Sequence, residues 1–467
     1  MYNPNVLSER ANNSTNTRRE DMKQVVHAPC GPVMGVQNKG VYQFHGIPYA
    51  QPPVGPLRFQ KPRRMERWEE TYDATYRHFL APQTASDLDI PMGPTVGEHN
   101  EDCLTLAIST PSLTGGLPVA VWFHGGANCY GGGDVAWYDG ASLARSQQIV
   151  VVNLNFRLGP LGFLYYPGVI EENLSIEDQM MALHWIQDNI AAFGGDPGKV
   201  TLFGQSAGGN AITHILSRPD SDGLFQQIIL ESASLGRGNH TRADALEIGT
   251  EVLKKLAIEP GTGALEALQK KSVSEIFEAA EAVPQGLREK HQGMIFKPIM
   301  DEWHTPEQTV HAAAQRAKSR KIRILMGFTR EEMLAFIQGR DEKSLAVAEA
   351  ILQTRYVSPG ENMALEAAAG GCTVYRYRFD WKAAKSSFGA CHCLELPFLF
   401  GNLESWNAPM LDGMEPYEGR CLTETMQGLW GRFVRGEEYE NGLWPKFTAE
   451  RKAMKVLNNE DNPVQDQ

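Results

Sequence analysis

No stretch of about 18 consecutive apolar residues occurs anywhere in the chain, so no transmembrane helix is expected. The opening residues, MYNPNVLSERANNSTNTRRE, lack the apolar core that a secretory signal needs. Basic residues are outnumbered, 44 Lys and Arg against 56 Asp and Glu, for a formal net charge of −12. That balance argues against nucleic acid or an anionic membrane as the main partner, and no basic run contradicts it. Cysteines are few and odd in number: Cys30, Cys103, Cys129, Cys372, Cys391, Cys393 and Cys421. Their spacing forms no framework, which excludes a disulfide scaffold. Internal repeats and long low-complexity linkers are also missing. A cytoplasmic monomer is the expectation that these absences leave.

What is present is a large apolar complement, 42% of 467 residues, enough for a sizeable core. Residues 1 to about 21 are polar and read as a disordered tail. One catalytic domain is expected over 22–457, with a short tail over 458–467. Short apolar runs read as buried parallel strands: Leu117–Phe123, Gln148–Asn153, Lys199–Phe203, Gln227–Leu230, Arg323–Met326 and Thr373–Phe379. Asp178–Phe193 carries apolar residues at helical spacing and stops at Gly194-Gly195. Alternating strands and helices imply an α/β fold, a mostly parallel sheet with helices on both faces. Residues 241–320 read as consecutive helices, a cap inserted between two strands.

A predicted strand runs straight into Gly204-Gln205-Ser206-Ala207-Gly208, and a helix follows. This is G-x-S-x-G in its strand–turn–helix setting, which makes Ser206 the candidate nucleophile. Gly204 and Gly208 spare the crowded turn a Cβ. An earlier strand ends in Phe123-His124-Gly125-Gly126-Ala127. Small residues there would let a substrate carbonyl approach backbone N–H donors, as an oxyanion hole requires.

Chain order in such a fold is serine, acid, histidine. Six histidines follow the serine: His214, His240, His291, His304, His311 and His392. Only His392 sits in a loop after a late strand. The acid should follow a strand between Ser206 and His392. Glu331 and Glu332, after the strand at 323–327, both qualify, with Asp301 as runner-up. Cys391-His392-Cys393 has no second ligand cluster, so no metal and no cofactor are expected.

These residues resemble the type B carboxylesterase family, which also holds the cholinesterases; in character the chain is nearest to its bacterial p-nitrobenzyl-esterase-like members. The resemblance runs from about Pro32 to about Pro445. It rests on the runs QFHGIPYA at 43–50 and PPVGPLRF at 52–59, on Glu101-Asp102-Cys103-Leu104, and on NIAAFGGDP at 189–197. It implies an α/β-hydrolase fold and hydrolysis of carboxylic esters through an acyl-enzyme on a small-molecule ester. The family's G-x-x-x-D/E-E motif falls on Gly327–Glu332 and implies Glu332 as the acid. His-x-x-Glu falls on His392–Glu395. The oxyanion donors map to the N–H groups of Gly126, Ala127 and Ala207. Ser232 corresponds to a serine that supports the acid in relatives, and Arg58 and Glu101 to a structural ion pair.

Departures bear on chemistry. Relatives often pair the cysteine at this motif with one about twenty residues upstream, but that place here reads Leu80-Ala81-Pro82-Gln83, so Cys103 should be a free thiol. Residues 84–100 contain no aromatic side chain, and Gln205 stands where cholinesterases carry Glu. Small to medium uncharged esters are therefore expected in preference to choline esters. The short segment between acid and histidine should leave an open rim. An amide or carbamate hydrolase with the same residues is the alternative, and a non-catalytic binding protein of the same family a remote one.

Overall fold

The computed structural model describes residues 22–171, 173–300, 308–440, 442–458 and 464–466. The expected N-terminal tail, Asp301 and His304 lie outside the described residues.

Among the described residues thirteen strands form one sheet: β1 (Met22–Ala28), β2 (Gly31–Asn38), β3 (Val41–Pro48), β4 (Tyr72–Asp73), β5 (Thr105–Thr110), β6 (Leu117–Phe123), β7 (Val150–Leu154), β8 (Gly195–Gln205), β9 (Gln227–Glu231), β10 (Arg323–Thr329), β11 (Val374–Phe379), β12 (Ala453–Leu457) and β13 (Val464–Asp466). Their order is β1-β2-β3-β5-β7-β6-β8-β9-β10-β11-β12-β13, with β4 beside β2. From β7 to β12 every pairing is parallel. From β1 to β7 the neighbours along the sheet are antiparallel. Helices surround this mostly parallel sheet, the α/β-hydrolase arrangement.

Burial on both faces explains why the central strands read as continuous apolar runs. Along β6, Val119, Val121 and Phe123 enter one core cluster while Ala120 and Trp122 enter the cluster on the opposite face. Trp122 there meets Phe203 and Phe400 at ring distances of 4.9 and 5.1 Å.

The long helix before β8 begins four residues earlier than its apolar spacing suggested, spanning Leu174–Asn189 before a tighter turn over Ile190–Phe193. Its Asp178 is buried because Arg157 binds it with two N–H groups, at 2.8 and 2.6 Å. Between β9 and β10 lie helices Arg242–Lys255, Ala264–Gln269, Val273–Glu281 and Gln285–Lys290, then Thr309–Arg320. The last packs on Ala207–Ser217 and Ser358–Ala369, against the sheet's helical layer. β13 falls in the segment read from sequence as a tail. It pairs antiparallel with β12, taking up edge hydrogen bonds that would otherwise be unpaired.

Candidate active site

β8 ends at Gln205, and the helix Ala207–Ser217 starts two residues later. Ser206 between them adopts φ 55°, ψ −121°, a sparsely populated conformation that costs on the order of 1–3 kcal/mol. Its N–H donates to Glu231 O (2.8 Å), and its carbonyl accepts from Asn210 N (3.0 Å). The turn is affordable only with Gly208: a Cβ there would lie 2.0 Å from Phe123 O, the last residue of β6. Gly204 faces the same carbonyl at 2.8 Å.

The loop after β6 turns through Gly126 (φ 103°) and Ala127 (φ 54°). Cys129 and Tyr130 donate back to Gly126 O, each at 2.9 Å, closing the turn. A Cβ on Gly126 would sit 2.2 Å from Tyr130 O, so a larger residue cannot hold this shape. Among the described residues the N–H groups of Gly126, Ala127 and Ala207 have no partner. Asn128 Nδ2 donates to Phe296 O at 3.1 Å, tying the loop to the segment after the cap helices. His124 stacks on Phe156 at 4.4 Å, and burial lowers its pKa to about 4, so the ring is neutral there.

His392 and Glu332 are fully buried and joined through His392 Nδ1 and Glu332 Oε2. The other carboxylate oxygen accepts from Thr329 N at 2.9 Å. Glu331 turns the opposite way, its Oε2 accepting from Ala390 N at 2.9 Å. The two neighbouring glutamates therefore differ in direction. His392 Nε2 does not meet Ser206. It faces Gln205 Nε2 at 3.0 Å, so a lone pair on Nε2 accepts the amide N–H while Nδ1–H faces the carboxylate. Tyr356 and Phe336 flank the imidazole at ring distances of 6.0 and 5.2 Å, and Phe336 is 43% exposed. Neither aromatic carries a sequence signal.

Ser232 requires a correction. Its hydroxyl donates to Glu395 Oε1 at 3.4 Å and not to Glu332. Two further carboxyls are buried behind the histidine, Glu395 and Glu231. Burial first, then the charges of Glu332 and Glu231, push Glu395 well above the carboxylate range. Burial lifts Glu231 to about 8, although Trp430 Nε1 donates to its Oε1 at 2.7 Å. A low-dielectric pocket cannot hold three adjacent carboxylates all ionised.

A narrow cleft opens beside these groups, lined by Leu88, Met92, Gly126, Tyr130, Trp137 and Gln205 among others. Trp137 spends one ring face on Trp406, stacked at 5.0 Å. Elsewhere, Asp244, Glu247 and His291 bring ligand atoms within 4.8 Å of one another. Lys290 Nζ already sits on both carboxylates, at 3.0 and 2.7 Å. The Arg58–Glu101 pair implied by the resemblance is present, with Arg58 Nε donating at 2.6 Å.

The carboxylesterase family model matches residues 22–351. The chain is 34% identical to the para-nitrobenzyl esterase of Bacillus subtilis (strain 168), covering 94% of this chain and 95% of that protein. It is 33% identical to the phenmedipham hydrolase of Pseudarthrobacter oxydans, over 95% and 96%. A solved thermophilic PNB esterase superposes with a TM-score of 0.84 at 32% identity, covering 95% of this chain and 97% of that one. Another PNB esterase structure gives 0.85 at 31%. With this fold and this similarity along nearly its whole length, the chain belongs to the carboxylesterase family and is a carboxylic ester hydrolase.

Proposed function

We propose that Ser206, His392 and Glu332 form a Ser–His–Glu catalytic triad that hydrolyses esters through an acyl-enzyme. The observation that carries this reading is the pairing of His392 Nδ1 with Glu332. It fixes the tautomer whose free Nε2 can accept a proton. Nε2 lies against the side chain of the residue preceding Ser206, so a small change of the Gln205 amide frees it for the hydroxyl. Ser206 Oγ attacks the ester carbonyl as His392 takes its proton. The oxyanion is received by the N–H groups of Gly126, Ala127 and Ala207, each donor supplying roughly 3–4 kcal/mol in the transition state. His392 returns the proton to the leaving alcohol, and water then releases the acid.

Small to medium esters with an uncharged alcohol fit this site better than choline esters. Gln205 carries no charge beside the nucleophile, and the ring of Trp137 is partly covered by Trp406. The first test is Ser206→Ala with p-nitrophenyl butyrate. Loss of at least about a thousandfold in kcat, with the fold intact, is expected. Turnover near that of the unaltered enzyme overturns the reading. For the alcohol preference, kcat/KM for butyrylthiocholine, corrected for leaving-group reactivity, should fall below that for p-nitrophenyl butyrate.

A further inference from the structure

We propose that the acyl side of this site is built for a free carboxylate, so that the enzyme hydrolyses half-esters of dicarboxylic acids with Arg237, Lys297 and Arg355 holding the far carboxylate. The proposal rests on the reading of Ser206 as nucleophile and refines its substrate class. In the reaction the bond from acyl carbon to alcohol oxygen breaks, Ser206 carries the acyl group, and water releases the diacid.

The three cations come from separate segments that meet beside the catalytic groups. Arg237 ends the turn Leu235–Arg237, three residues after Ser234. Ser234 Oγ accepts from Asn210 on the first turn of the elbow helix at 3.0 Å. Gly236 lets that turn touch the segment carrying Arg355, since a Cβ on it would lie 2.1 Å from Thr354 O and 2.9 Å from Arg355 Cα. Arg355 precedes Tyr356, whose ring packs on His392. Lys297 follows Phe296, whose carbonyl is bound by Asn128 of the oxyanion loop. All three side chains are half-buried.

Among the described residues none of them forms an ion pair. Arg355 donates only to the Gln292 amide oxygen, at 2.6 Å. Asp244, the acid whose charge reaches Lys297, is held by Lys290. A chain with 56 acids and 44 bases has ample partners for its cations, yet among the described residues no acid pairs with this group. Burial and then the neighbouring arginine charges pull Lys297 down to about 8. Burial followed by Arg355 takes Arg237 to about 10. Gathered like charges repel one another, and a bound anion relieves that repulsion.

The side of the ester is set by the cleft that Leu88, Met92 and Trp137 line. That cleft is lined by Gln205, which touches His392 Nε2, and by Cys393, the next residue after His392. Nε2 protonates the leaving alcohol, so the alcohol occupies this cleft. The cation side, beyond the oxyanion loop, is left for the acyl chain.

The experiment compares the full chain on p-nitrophenyl hexanoate and on the mono-p-nitrophenyl esters of glutaric, adipic and suberic acids, each corrected for spontaneous hydrolysis. The leaving group is constant, so the ratio of kcat/KM values reads acyl recognition. At least one half-ester should exceed the hexanoate by about tenfold or more, the effect of a charge-assisted hydrogen bond. Raising the salt concentration on the unaltered enzyme should reduce that ratio. Arg237→Gln and Lys297→Met should each lower it about tenfold, while Lys297→Arg retains it. Hexanoate turnover that depends on Ser206, with no half-ester favoured or with a ratio blind to salt and to these substitutions, overturns the proposal and leaves the nucleophile standing. Hydrolysis of both esters that survives Ser206→Ala overturns the nucleophile instead.

Discussion

Gln205 Nε2 stands 3.0 Å from His392 Nε2, on the side of the imidazole opposite its bond to Glu332. The amide donates to the lone pair that receives the serine proton in the proposed mechanism, where it competes with Ser206 in the resting enzyme. A carboxylate in the same place would favour the imidazolium instead, and an imidazolium cannot act as base. Gln205→Glu should therefore move the acid limb of the kcat/KM profile upward by about one pH unit. Gln205→Ala, which only removes an N–H that favours the neutral ring, should move the limb upward by less. A pH–rate series on p-nitrophenyl butyrate decides the matter; coincident profiles for Gln205→Glu and the unaltered enzyme would show that the contact does not persist in turnover.

Two adjacent glutamates give a second test. Glu332 reaches His392, while Glu331 bonds the backbone of Ala390. Glu332→Gln should lower kcat by about 10²–10⁴ because the amide no longer stabilises the imidazolium or fixes its tautomer. Glu331→Gln should stay within about threefold of the unaltered rate. The reverse order would place the acid at position 331.

Much of this arrangement was legible in the chain. The elbow announces itself because a strained turn restricts residue choice, and buried parallel strands such as β6 and β8 read as apolar runs. The strands β1–β3 and β5 escaped because they mix polar and apolar residues without a decisive period. The choice between Glu331 and Glu332 was closed only by the family motif, since neighbours in sequence differ in side-chain direction and not in type. The bond from Ser232 to Glu395 in place of Glu332 depends on how β9 and the histidine loop dock. Arg237, Lys297 and Arg355 share no spacing at all; only the close approach at Gly236 and the tie from Asn128 to Phe296 bring them to one place.

Cysteine chemistry supplies a third prediction. All seven thiols are free, and only Cys421 is exposed. Burial pushes the Cys30 and Cys129 thiols up to about 12, and Cys103 higher still. The thiolate is the reactive form, so buried thiols at high pKa react slowly. Titration of the native protein with a disulfide reagent near pH 8 should show one fast thiol, and the denatured, unreduced protein should show seven. Fewer than six after denaturation would reveal a disulfide. A Cys421→Ser protein that keeps its fast phase would reassign the exposed thiol.

The buried Glu231 ties stability to pH. Its carboxyl is lifted from an ordinary value of 4.5 to about 8, chiefly by burial. Between those two values the folded chain retains a proton that the unfolded chain has released. Stability therefore falls with each step of rising pH across this window, and the full cost is present above it. Below about 4.5 both states hold the proton and the group contributes no pH dependence. Glutamine keeps the oxygen that accepts from Trp430 Nε1 and can never ionise. Glu231→Gln should accordingly gain on the unaltered protein as pH rises, the advantage growing from pH 5 to pH 8 and then levelling at a few kcal/mol, on the order of 1.4 kcal/mol per pKa unit. Chemical denaturation at pH 5, 6.5 and 8 measures it. A stability difference that stays flat across the three pH values would mean that Glu231 is already ionised in the folded protein, with its charge compensated by a partner other than Trp430.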